Sequence, residues 1–124
     1  MEFKIDTKDT FSVIIPIFDR INAKLTGELG QKCEEMRQRG SKNFIIDLRE
    51  CREIDSAALE ELVALHEKSY SNDQSIVFTG ITEKVMQGLK ENETDLLINV
   101  APRMEEAIDI ISMEILERDL LSEE

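Results

Sequence analysis

The segment Ile54-Asp55-Ser56-Ala57-Ala58-Leu59 holds the residue types and spacing best suited to chemistry. A serine follows an aspartate where a polar stretch gives way to a helical apolar pattern. Asp55 or Ser56 can cap that helix, and Glu60 and Glu61 suit the positive end of its dipole. Alternatively, Ser56 is a phosphorylation site. A phosphoserine adds about −1.5 to −2 charges, and the unpaired N–H groups of a helix start can hold it. Arg49 and Arg52 lie close in sequence and could reach it, whereas Glu60, one turn on, would oppose it. Such a dianion on a docking surface breaks an interface by repulsion without refolding the domain. Spacing alone leaves both readings open.

Nothing else in the chain assembles a site. His66, the sole histidine, lies on an apolar helical stripe with no cysteine or carboxylate at ligand spacing, so a packed or half-buried imidazole is expected rather than a metal ligand. No Gly-x-Ser-x-Gly elbow and no glycine-rich phosphate loop occurs. Neither enzymatic chemistry nor a cofactor or metal is therefore expected. Cys33 and Cys51 are too few and too far apart for a zinc site or a disulfide framework, and read as reduced thiols. Met36, Met86, Met104 and Met113 read as core filler.

The elements that would position Ser56 follow from the hydrophobic period. Phe3–Ile5 alternates as a short edge strand. Phe11–Ile17 is a stronger strand, with Pro16 at its end or at a sheet edge. From Ile21 the period turns helical through Leu25, Leu29, Cys33 and Met36. Gly27 and Gly30 predict a helix firm only from about Glu28, and Arg39-Gly40-Ser41 a stop. Asn43–Leu48 is a nearly continuous apolar run, as in a central strand covered on both faces. Arg49–Ile54 reads as a polar connection. Leu59, Leu62, Val63, His66 and Tyr70 then form a helical stripe, and Ser75–Gly80 a second buried strand. A short helix from Ile81 to Leu89, a last strand over Leu96–Val100 and a final helix after Pro102 complete the chain. The order β-β-α-β-α-β-α-β-α predicts a single α/β domain. Its sheet would be mixed but largely parallel, with about five strands and about four flanking helices.

The chain has 124 residues, 41% hydrophobic and 34% charged, which fits one core and a well-solvated surface. A net charge of −12 repels phosphate backbones and anionic lipid, so nucleic acid and membrane surfaces are poor partners. No apolar run approaches the roughly 20 residues of a membrane span. The N-terminus lacks the basic-then-apolar pattern of a signal peptide, so a cytoplasmic location is expected.

The run Phe44-Ile45-Ile46-Asp47-Leu48, a loop, and then Ile54-Asp55-Ser56-Ala57-Ala58-Leu59 through His66 resembles the central motif of STAS domains. These are the domains of bacterial anti-sigma factor antagonists and of the cytoplasmic tails of sulfate transporters. The element order and Glu105-Glu106-Ala107 at the last helix agree, and the resemblance covers roughly residues 3–111. It implies a non-enzymatic partner switch in signal transduction and transcription regulation. An unphosphorylated antagonist binds an anti-sigma factor that is also a serine kinase of the GHKL type. The kinase then phosphorylates the serine after the motif aspartate, which ends binding, and a PP2C-type phosphatase restores it. By this resemblance Ser56 is that serine, and Asp55, Ser56, Ala57, Ala58 and Leu59 form the partner-binding surface. The chain departs from the pattern at Ala57-Ala58, where Ser or Thr and then Gly are usual. Alanine favours helix over glycine by about 1 kcal/mol, so a stiffer turn is expected. The usual glycine after the second strand is replaced by Phe18-Asp19.

Two rivals remain. One is a STAS scaffold or transporter accessory subunit whose Ser56 is never modified. The other is a receiver-like phospho-aspartate domain, for which Asp47 and Thr79 would end the right strands. However, Pro16-Ile17-Phe18-Asp19 lacks the acidic pair for Mg²⁺, and Ala101-Pro102 stands where a lysine is needed.

Residues 1–112 are read as the domain and 113–124 as an acidic extension of the last helix. Residues 101–124 carry eight acidic side chains and two arginines, half of the net charge. Ile110, Ile111, Met113, Ile115, Leu116, Leu120 and Leu121 are too many apolar groups for one face of a lone helix. The extension either packs back on the domain or pairs with a partner or a second copy, the latter giving a homodimer. A solvated acidic tail is the plainer reading.

Overall fold

A computed structural model describes residues 1–122. β1 (Glu2–Thr7) and β2 (Ser12–Ile17) form an antiparallel hairpin, followed by β3 (Arg20–Ile21) and α1 (Ala23–Gln38). Then come β4 (Phe44–Asp47), β5 (Glu53–Ile54), α2 (Ser56–Ser71), β6 (Ile76–Thr79) and α3 (Glu83–Glu91). A 3₁₀ turn (Thr94–Leu96) leads to α4 (Met104–Ser122). The main sheet has the order β1-β2-β4-β6 and is parallel from β2 onward.

The register explains why the apolar runs carry no alternation. Ile14, Ile46 and Phe78 align on one face of the sheet, and Val13, Ile45 and Val77 on the other. The first face packs against Leu25, Leu29 and Cys33 of α1, Leu59 and Leu62 of α2, and Val85 and Leu89 of α3. The second is covered by α4 through Ala107 and Ile111, with Met104, Ile108 and Ile115 half-buried around them. Because helices cover both faces, every residue of β4 and β6 is buried. Pro16 stands past Ile14, where the recorded pairing of β2 with β4 ends, so its missing N–H costs no rung between those strands.

Four expectations change. α1 is regular from Ala23, because the Leu25 N–H donates to Asn22 Oδ1 at 2.8 Å and caps the helix. Gly27 and Gly30 sit in open space, and burial of Leu25 and Leu29 on either side offsets their entropy. The third helix starts at Glu83 rather than Ile81, because the Thr82 hydroxyl is turned to the Cys51 carbonyl at 2.9 Å. The fifth strand shrinks to one rung between Phe78 and Val100, so the main sheet has four strands. Glu93, in the left-handed region at φ 56°, starts a turn that leaves Leu96 and Leu97 in solvent. Finally, the polar connection holds β5, which pairs with β3 as a separate two-stranded sheet.

Candidate functional site

Ser56 owes its position to the β3–β5 sheet. The Asp19 carbonyl accepts from the N–H groups of Arg52 and Glu53, at 2.6 and 3.1 Å, and the Asp55 N–H donates to the Ile21 carbonyl at 2.9 Å. The chain is thereby held extended until Asp55, the N-cap residue at φ −88°, and α2 begins at Ser56. From the other side α3 comes close enough to β5 that a Cβ on Gly88 would meet Ile54 Cγ2 at 2.7 Å.

Ser56 and Ala57 are exposed, as is Glu60. Ala58 and Leu59, expected on the partner-binding surface, are instead buried and anchor the first turn, together with Leu62, against the sheet. The helical period turns them inward, since residues 58, 62, 65 and 69 share the buried side of α2. The surface part of the motif is therefore Asp55, Ser56 and Ala57. Phe18 is exposed in the loop after β2, next to Asp19, whose carbonyl holds the N–H groups of Arg52 and Glu53.

The electrostatics differ from the expected arginine pair. The Asp55 side chain makes no capping bond; Oδ1 accepts from Arg20 Nη1 at 3.2 Å. Arg20 also donates from Nη2 to Glu53 Oε2 at 2.6 Å, and Lys84 Nζ donates to Glu53 Oε1 at 3.0 Å. The hydrogen bond from Lys84, then that from Arg20, hold the Glu53 carboxyl below its usual range. Glu53 and then Asp55 raise the Arg20 guanidinium. The network is solvent-exposed and contributes orientation more than stability. It borders a cleft of about 320 Å³ lined also by Gln87 and Glu91.

Arg49, one of the two arginines expected near Ser56, is turned to Asp47. Nε donates to Oδ2 at 2.9 Å, and the Arg49 N–H donates to Oδ1 at 3.1 Å. Arg52 lies beside Asp19, Glu53 and Lys84. Arg20 is the residue that sequence reasoning missed. It is 35 positions from Asp55, and the only cue was a two-residue strand too short to show a period.

The receiver-like reading fails on Asp47. Its carboxylate is buried with both oxygens committed to Arg49, and Gly80, at φ +65°, packs so close that a Cβ there would run into it. The Thr79 hydroxyl donates to the Ala101 carbonyl at 2.9 Å. Among the described residues no group of three His, Cys, Asp or Glu side chains is placed to hold a metal ion.

His66 is half-buried, as read from the sequence, with its ring 4.6 Å from that of Tyr70. Burial lowers its pKa. The Tyr70 hydroxyl donates to Glu114 Oε1 at 2.6 Å and accepts from the Asn99 amide, which ties α2 to α4. Burial, then the bond to Glu114, raises the Tyr70 phenol. Cys33 and Cys51 are free and buried, their thiols pushed up to about 12 and about 11 chiefly by desolvation. Both are therefore poor nucleophiles at neutral pH. Among the described residues no helix is long and apolar enough to cross a membrane.

Solved structures share this arrangement. An anti-sigma factor antagonist from Mycobacterium paratuberculosis superposes with a TM-score of 0.73 at 16% identity, over 90% of this chain and 93% of that one. A serine-to-glutamate variant of RsbS from Moorella thermoacetica gives 0.71 at 18%, over 95% and 99%. The anti-sigma factor antagonist SpoIIAA in its unphosphorylated form gives 0.67 at 13%, over 90% and 96%. No protein-family model and no curated protein sequence matches the chain. The fold is that of STAS domains of the anti-sigma factor antagonist type.

Proposed function

We propose that this chain is a protein–protein switch of the partner-switching kind, controlled by reversible phosphorylation of Ser56. The observation that carries the reading is the placement of Ser56. It is the exposed first residue of α2, held by the β3–β5 sheet, in a fold shared with proteins described as anti-sigma factor antagonists. With Ser56 unmodified, Asp55, Ser56, Ala57 and Glu60 dock on an anti-sigma factor that is also a serine kinase of the GHKL type. Phosphate on Ser56 places about two negative charges between Asp55 and Glu60, and docking ends by repulsion while the domain stays folded. A PP2C-type phosphatase resets the surface. The chain itself performs no chemistry in this scheme and works where its kinase is, in the cytoplasm.

The test is a pull-down from lysate of the source cell, with wild type, Ser56→Ala and Ser56→Glu as baits. A kinase retained by the first two and released by Ser56→Glu, with phosphate mapped to Ser56, is the expected result. Equal capture by all three without phosphate would make Ser56 a helix-start residue and the domain a fixed scaffold.

A further inference from the structure

The outer face of α4 carries a second feature, independent of Ser56. Met113, Leu116 and Leu120 are 57–61% exposed there, and Leu121, to one side of them, is 70% exposed; no other helix among the described residues carries as many exposed large apolar side chains. At 100° per residue, Asp109, Met113, Leu116 and Leu120 fall within about 60° of one another, opposite the buried Ala107 and Ile111. Their spacings of four, three and four form a coiled-coil seam about 17 Å long.

The charges beside the seam are of one sign. Glu117 lies on one side, Glu105 and Asp119 on the other, and Asp109 continues its line; all four are exposed. The cations of this segment are committed elsewhere. Arg118 turns inward, donating to Ser75 Oγ at 3.0 Å and Asn43 Oδ1 at 2.9 Å, and Arg103 pairs with Glu106 at 2.8 Å. Glu114 is likewise turned to Tyr70. Pairing with a second copy would bring two acidic rims together with no cation between them, on chains of net charge −12 each. In paired helices the flanking charges select the partner.

We propose that the outer face of α4 is a docking site for a basic amphipathic helix of a partner protein. That helix carries aliphatic residues at heptad spacing against Met113, Leu116 and Leu120, and Lys or Arg against Glu117, Asp119 and Glu105. The surface lies across the sheet from α2, so its occupant and the Ser56 partner can bind together.

Three synthetic helical peptides test this against the full chain by fluorescence anisotropy, each below its own self-association range. The first has leucine at the seam positions and lysine beside them, the second glutamate in place of lysine, and the third the first peptide's composition in scrambled order. The first is expected to bind, to weaken roughly tenfold between low and high salt, and to lose to the second in the Glu117→Lys/Asp119→Lys variant. Ser56→Glu should leave these affinities unchanged, so the failure of either proposal is read separately. Equal binding of the first and scrambled peptides would reduce the effect to net charge and overturn the proposal. So would no binding of the first peptide, or a dimer of the chain at low micromolar concentration in sedimentation equilibrium.

Discussion

α2 enters solvent with two small side chains, Ser56 and Ala57, over a base of buried Ala58, Leu59 and Leu62. By contrast, α4 presents four long apolar side chains over only two buried ones, Ala107 and Ile111. The start of α2 is surrounded by charges of both signs, Arg20, Lys84, Glu53 and Asp55, linked in a chain. The rim of α4 is acidic alone. The first arrangement suits a switch, since adding one dianion to small, polar neighbours changes the surface without disturbing the core. The second suits selection by apolar contact and charge sign, which a single charge shifts but does not abolish.

The depth of support separates the two most sharply. Leu62→Ala removes a side chain from the larger core and should cost about 2–5 kcal/mol in urea unfolding. Leu116→Ala should stay within about 0.5 kcal/mol. Equal losses would mean that α4 is not solvent-facing. Next comes partner capture. Ser56→Glu should weaken kinase binding at least about a hundredfold, close to 3 kcal/mol, whereas Glu117→Lys/Asp119→Lys should leave it unchanged. Loss in both would merge the two surfaces into one.

Gly80→Ala tests the platform beneath α2. A methyl group there needs a left-handed φ and meets the Asp47 carboxylate, so a loss of about 1–3 kcal/mol is expected, with weaker kinase capture and unchanged peptide binding at α4. The smallest effect concerns the link between the helices. Burial holds the His66 pKa below its ordinary 6.5, so the unfolded chain takes up that proton more readily than the folded one. The stability this group contributes is therefore intact above pH 6.5 and lost as pH falls through the folded value. The melting temperature should decline as pH is lowered from 6.5, and less steeply in His66→Gln. An identical slope would place the sensitive group elsewhere.

Much of the frame was legible because it is local. Continuous apolar runs marked β4 and β6 to within about two residues, and the change from polar to helical pattern marked α2 at Ser56. The buried side of α2 was read one step off. The stripe Leu59, Leu62, Val63, His66, Tyr70 follows hydrophobicity, yet Ala58, Leu65 and Ser69 are buried while Val63, His66 and Tyr70 are half-buried. Small residues permit close approach to a sheet but add little to an apolar pattern. The expected fifth strand was lost for a different reason: Leu96–Val100 has a strand's composition, but its start is wound into the 3₁₀ turn Thr94–Leu96, and one rung remains at Val100, where the Asn99 carbonyl and the Ala101 N–H bond to Phe78.

Element order, the mixed sheet and a serine at a helix start are properties of neighbours along the chain, where period and capping act over a few residues. The pairing of Asp55 with Arg20 joins groups 35 positions apart that meet only because β3 lies beside β5, and the inward turn of Ala58 and Leu59 depends on the sheet against which α2 packs. The same holds for α4, whose composition shows an excess of apolar and acidic residues. Only packing against Val13, Ile45 and Val77 decides which of them face the sheet. It also draws Arg118 inward to Ser75 and Asn43 and leaves the acids facing water.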